Sequence, residues 1–163
     1  MGGIVAAPLD AVRTFFLLPL VLLSACSSMQ MARKIEPPSN APQNIREAVF
    51  AVNNIVGKPY RWGGGHGSFC DRGYDCSGTV SYLLHAAGGL ASPEDSQGLS
   101  NWGVPGRGRW ITVYVKPGHH VFADVAGVRL DTTDMRRGGD VGPRWHASHR
   151  STSGYEARTL PGW

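Results

Sequence analysis

From residue 43 onward the apolar positions fall first at helical spacing and then in alternation. Ile45, Ala48, Val49, Val52 and Val56 recur every three or four residues, which predicts an amphipathic helix ending at Gly57. A second helix is predicted to open at Asp75-Cys76-Ser77, with Asp75 as its N-cap. It would bury Val80, Leu83, Leu84 and Ala87 and stop at Gly88-Gly89. After residue 109 the period shortens to two: residues 110–115, 120–125 and 128–133 read as strands. Pro117-Gly118 is the first turn between them, and Ala126-Gly127 closes a hairpin. Residues 155–158 read as a last short strand in a turn-rich tail from 138 to 163. Residues 59–67 are a glycine-dense loop, and 90–108 read as one long loop. Helices first and strands second give an α+β class with a small antiparallel sheet.

The N-terminal quarter is built differently. Arg13 precedes the apolar run Phe15-Phe16-Leu17-Leu18-Pro19-Leu20-Val21-Leu22-Leu23, too short to span a bilayer and typical of a secretory signal core. Leu23-Ser24-Ala25-Cys26 resembles the lipobox of bacterial lipoproteins, which implies acylation at Cys26; an ordinary secretory signal with an incidental cysteine is the plainer reading. Residues 27–42, with Pro37, Pro38 and Pro42, are too polar to build a core and read as a tether. The expected organisation is therefore a lipoprotein signal peptide over 1–25, a flexible tether over 26–42 from acylated Cys26, and one folded domain over 43–163. The expected location is extracytoplasmic, on the cell membrane or the outer membrane, and Ser27 would permit outer-membrane sorting.

Charge adds little. Sixteen basic against twelve acidic side chains give +4, and no basic run interleaved with aromatics marks a nucleic-acid surface. The cysteines and histidines lack paired short ligand spacings, so no metal and no cofactor is expected.

The chemistry gathers at Cys76. A free thiol supplies little thiolate at neutral pH, and the first turn of a helix, with its unpaired N–H groups, is a place that favours ionisation. Ser77 and Gly78 keep the approach to the sulfur open; a buried, inert cysteine is the bland alternative. Tyr60-Arg61-Trp62-Gly63-Gly64 followed by Asp75-Cys76-Ser77-Gly78 resembles the signature of the NlpC-type cell-wall peptidases, a papain-like cysteine peptidase family. The likeness covers most of residues 43 to 135. It implies a papain-like fold, a nucleophile at Cys76, a histidine at His120-Val121 and a third polar residue near Leu130-Asp131-Thr132. It also implies hydrolysis of peptidoglycan stem peptides, commonly at the γ-D-glutamyl to diamino-acid bond, with Tyr60 assisting the oxyanion. Family members more often carry His, Asn or Gln where this chain has Asp131.

Strand alternation separates His119 from His120. If Ala126-Gly127 is a two-residue turn, His120, Phe122 and Asp124 share a face with Arg129, Asp131 and Thr133, and Asp131 lies diagonal to His120. His120 is the expected base and Asp131 its orienting partner, while His119 frays or turns to the apolar side. Tyr60, Asp75, Ser77 and His66 complete the expected oxyanion and substrate-binding set; His66 reads equally as a solvated loop histidine. Trp62 is expected to pack against the first helix. Cys70 is either a disulfide partner of Cys76 or a spectator thiol, and His146 and His149 read as surface residues. The partners expected are peptidoglycan peptides and, through the anchor, a membrane, with the protein a monomer. An amidase or acyl-transfer enzyme with the same Cys/His pair and a silent wall-binding lipoprotein are the alternatives.

Overall fold

A computed structural model describes residues 1–3, 33–134, 138–147 and 149–163. The expected signal segment from residue 4, the lipidation position Cys26 and the start of the tether lie outside these residues. Among the described residues no helix is long and apolar enough to cross a membrane.

Among the described residues three helices, α1 (Gln43–Val52), α2 (Cys76–Ala86) and the single turn α3 (Ser96–Leu99), accompany six strands. These are β1 (Val104–Pro105), β2 (Ile111–Lys116), β3 (His120–Val125), β4 (Val128–Asp134), β5 (Gly139–His146) and β6 (Glu156–Thr159). Within the sheet the strands pair antiparallel, in the order β1-β6-β2-β3-β4-β5. This is the α+β class the periodicity predicts.

Each element follows from its local chemistry. Helix α2 starts where the Asp75 side chain accepts the Gly78 N–H at 2.8 Å. It ends in a Schellman motif: the Gly89 N–H reaches the Leu84 carbonyl and the Gly88 N–H the His85 carbonyl, with Gly88 at φ 79°. The β3–β4 hairpin turns at Ala126 (φ 52°) and Gly127 (φ 84°), the two positive angles of a type I′ turn. That turn pairs Val125 with Val128 and Ala123 with Leu130. Alternation then sorts the strands. Val113, Val115, Val121, Ala123, Val125 and Leu130 form one core with Ile45, Ala48, Val49 and Val52 of α1 and Val80, Leu83 and Leu84 of α2. Burial of each such Val or Leu side chain contributes about 1.5–3 kcal/mol relative to exposure.

The other face of the sheet is buried too, and it is aromatic and charged. Thr112, Tyr114, Phe122, Arg129 and Asp131 are all buried. The Phe122 ring stacks on Tyr114 at 5.0 Å and meets Tyr155 edge-on at 5.2 Å. The segment leading into β6 supplies this cover.

Several expectations need correcting. The first helix ends at Val52 rather than Gly57, because Asn53 turns its side chain outward to other backbone. Its amide bonds both the N–H and the carbonyl of Ile35 and takes the indole N–H of Trp145 at 2.9 Å. The tail holds a strand, β5, which its glycines and Pro143 conceal. β5 is the sheet's edge, where proline is tolerated, and Gly142 (φ 77°) lets it pass against the backbone of Lys58 and Pro59. The loop over 90–108 contains α3 and β1. Trp62 does not pack on the first helix: it is 85% exposed.

Candidate active site

The glycine-rich loop and the start of α2 are one unit, joined by backbone contact and by Asp75. A Cβ on Gly78 would overlap the Gly64 carbonyl oxygen and come within 3.1 Å of the Gly65 Cα, so the two segments approach as only glycines allow. Asp75, 5% exposed, holds the contact. Its Oδ2 accepts the Gly63 N–H at 2.9 Å; its Oδ1 accepts from Gly78 and from the Ser77 hydroxyl at 3.1 Å. The His66 Nε2 lies 3.0 Å from both Asp75 Oδ1 and Ser77 Oγ. His66 is thus neither a solvated loop residue nor next to His120; it braces the turn that carries Cys76. Ser77 is buried and serves the same brace.

Cys76 is the first residue of α2, partly exposed and free, and Cys70 is exposed and free, so no bond joins them. Cys76 lies near enough to His120 for its charge to act on the imidazole. His120, the first residue of β3, places Nε2 2.9 Å from Asp131 Oδ1. Asp131 has no exposed side-chain surface. Its burial opposes ionisation, but the bond and charge of His120, the Thr133 N–H and the nearby Arg150 outweigh that and hold the carboxyl below its usual range. An ionised carboxylate can only accept, so Nε2 donates to it and Nδ1 is the ring nitrogen left for Cys76. Burial also works against the imidazolium. The hydrogen bond to Asp131 and the charges of Asp131 and Cys76 outweigh it and raise His120 from 6.5 to about 9. His119 lies exposed in the turn before β3.

Two arginines flank the carboxylate: strand alternation already puts Arg129 on its face, while nothing local in the sequence marks Arg150. Arg150 Nη1 lies 3.0 Å from Asp131 Oδ2, and its Nη2 donates to the Tyr155 hydroxyl at 3.0 Å. Arg129 Nε is 3.6 Å from Oδ2, and none of its nitrogens has a hydrogen-bond partner among the described residues. Burial, joined by the repulsion of Arg150, holds the Arg129 guanidinium below its usual range. His146 is not a surface residue. It ends β5 half-buried, with Nε2 3.3 Å from the Asp131 carbonyl, and burial first and Arg129 next push its pKa down. His149 is exposed.

Tyr60 lies near enough to Cys76 and Asp75 for their charges to act on its hydroxyl. Burial, followed by the charges of Asp140, Cys76 and Asp75, raises its hydroxyl to about 12. It therefore stays a neutral donor through the physiological range, beside the helix start that carries the Cys76 N–H.

A thiol at a helix start, an imidazole from a sheet and a buried carboxylate behind it form an arrangement that can support chemistry by a cysteine nucleophile. The NlpC/P60 family model matches residues 57–138, which hold the glycine loop, Cys76, His120 and Asp131. The chain belongs to the NlpC/P60 family. Among solved structures it is similar to an NlpC/P60 family protein from Bacillus cereus ATCC 10987, with a TM-score of 0.52 and 19% sequence identity, a likeness of fold. The match covers 71% of this chain but only 40% of that one. No curated protein matches the chain.

Proposed function

We propose that the protein is a cysteine endopeptidase that hydrolyses peptidoglycan stem peptides, at the γ-D-glutamyl to diamino-acid bond, through a covalent acyl-enzyme on Cys76. The observation that carries this reading is His120 held between two groups: its Nε2 lies 2.9 Å from the Asp131 carboxylate, which leaves Nδ1 for the Cys76 thiol close by.

His120 takes the Cys76 proton at Nδ1, and the resulting thiolate attacks the carbonyl carbon of the scissile amide, forming a C–S bond. The oxyanion of the tetrahedral intermediate meets the Cys76 N–H and the Tyr60 hydroxyl. His120 returns the proton to the leaving nitrogen, the C–N bond breaks and a thioester remains. A water then gives its proton to His120 and attacks the thioester, releasing a carboxylate and restoring the thiol. Asp131 stays ionised throughout and stabilises the imidazolium. Asp75, Ser77 and His66 hold the helix start and the glycine loop in place and border the substrate's approach. The same reading takes the chain as a monomer carried outside the cytoplasm by a lipid at Cys26.

Mass analysis of muropeptides incubated with the full chain tests this. The expected products are fragments cut between γ-D-glutamate and the diamino acid, lost in Cys76→Ala. Release of sugar from peptide instead would make it an amidase, and intact muropeptides would refute the reading.

A further inference from the structure

The geometry points to Arg150 as a positioning residue of this site: held between the Asp131 carboxylate and the Tyr155 hydroxyl, it fixes the carboxylate orientation in which Oδ1 accepts from His120. The inference rests on the catalytic reading of Cys76, His120 and Asp131, and adds a part from the far end of the chain.

A buried aspartate can rotate its carboxylate, and the rotation decides whether an oxygen points at the imidazole. Oδ1 is fixed by His120 at 2.9 Å and the Thr133 N–H at 3.0 Å. Among the described residues Oδ2 takes its hydrogen bond from Arg150 Nη1, at 3.0 Å. Arg129 lies at 3.6 Å and makes no hydrogen bond among them, so it contributes charge without direction. Arg150 is itself held. Its Nη2 donates to Tyr155, and its guanidinium carbon lies 5.4 Å from the Phe122 ring centre and 5.7 Å from that of Tyr155. A planar fork is needed for two such bonds, and an ammonium group has no such fork.

The role is orientation rather than charge. Arg150 Nη1 also lies 3.2 Å from His120 Nε2. That nitrogen already donates to Asp131 and an arginine can only donate, so this approach is not a hydrogen bond. It sets a cation beside the ring that must become cationic, which by itself works against the imidazolium. Arg150 therefore assists the site through the carboxylate. The groups facing this ring and its carboxylate are Cys76 from α2, Asp131 and Arg129 from β4, His146 from β5, and Arg150 and Tyr155 from the segment before β6.

The test compares the full chain with Arg150→Ala, using muropeptide cleavage and the pH profile of Cys76 alkylation by iodoacetamide, read on the Cys76 peptide. The kcat should fall about 10–100-fold with KM within about 2-fold, the usual penalty for a misplaced catalytic group. The alkylation profile should shift. Guanidinium at a sub-denaturing concentration should restore much of both, and sodium chloride at equal ionic strength should not; Arg150→Lys should stay impaired despite its charge. An unchanged kcat and profile, or a folded variant that guanidinium does not rescue, would overturn the inference. If Arg150→Ala does not fold, Tyr155→Phe decides: loss of one arm should lower kcat about 3–10-fold, and no change would refute the role. If the wild type cleaves no muropeptide, the catalytic reading has failed by itself, and the alkylation profiles still decide whether Arg150 sets the imidazole.

Discussion

Replacing Asp75 by alanine removes the knot between the glycine loop and α2, and its cost can be worked from the structure. The side chain caps the helix through Gly78, which is worth about 1 kcal/mol. It also satisfies the Gly63 N–H, and leaving such a group without its partner costs about 1–3 kcal/mol. The Ser77 hydroxyl and His66 lose an acceptor as well, but each still has the other at 3.0 Å. The sum is about 2–4 kcal/mol, or roughly 10 °C in melting temperature for a domain of this size. Asp75→Asn sharpens the argument. The amide offers one oxygen to two backbone donors, so either Gly63 or Gly78 faces an NH2 group whichever way the amide turns; the expected loss is about 1–2 kcal/mol. Thermal and urea unfolding of both variants measures this. An alanine variant melting within about 2 °C of wild type would show that Asp75 does not carry the load assigned to it.

Other outcomes follow from particular contacts. Gly78→Ala drives a methyl into the Gly64 carbonyl, so it should destabilise by about 3 kcal/mol in urea unfolding and slow turnover by moving the Cys76 turn. Cleavage should fall as pH rises through about 9, where His120 loses the proton it must return to the leaving nitrogen. Because the folded pKa of His120 is raised, the stability it contributes is full below about 6.5 and lost as pH climbs through about 9. The difference in unfolding free energy between wild type and His120→Ala should therefore shrink by about 3 kcal/mol across that window; a difference constant with pH would contradict the raised value. Trp62→Ala should change stability by less than about 0.5 kcal/mol, since the ring is 85% exposed.

The parts of the site that are close in sequence were legible, and those that meet only through the fold were not. The helix start at Asp75-Cys76 could be read from its cap, and Ala126-Gly127 set a register that put His120 and Asp131 on one face. The same alternation placed Arg129 beside Asp131, but not its burial, because nothing local says that a second face of the sheet will be covered. Arg150 lies 19 residues from Asp131 in a tail whose glycines and proline read as turns. The strand that brings it back depends on the Gly142 crossing over Lys58 and on Trp145 reaching Asn53, both contacts of long sequence separation. His66 was visible as a candidate but not as a brace, since its partners are 9 and 11 residues away. Trp62 was misread because an aromatic ring beside an apolar helix is more often packed than exposed.

The most direct test is to mix the full chain with muropeptides, quench in acid within the first turnovers and weigh the intact protein. The account predicts a transient gain equal to the acyl half of the cleaved peptide, mapping to the Cys76 peptide, absent in Cys76→Ala and slow to form in His120→Ala. Muropeptide cleavage that continues undiminished in Cys76→Ala would contradict it.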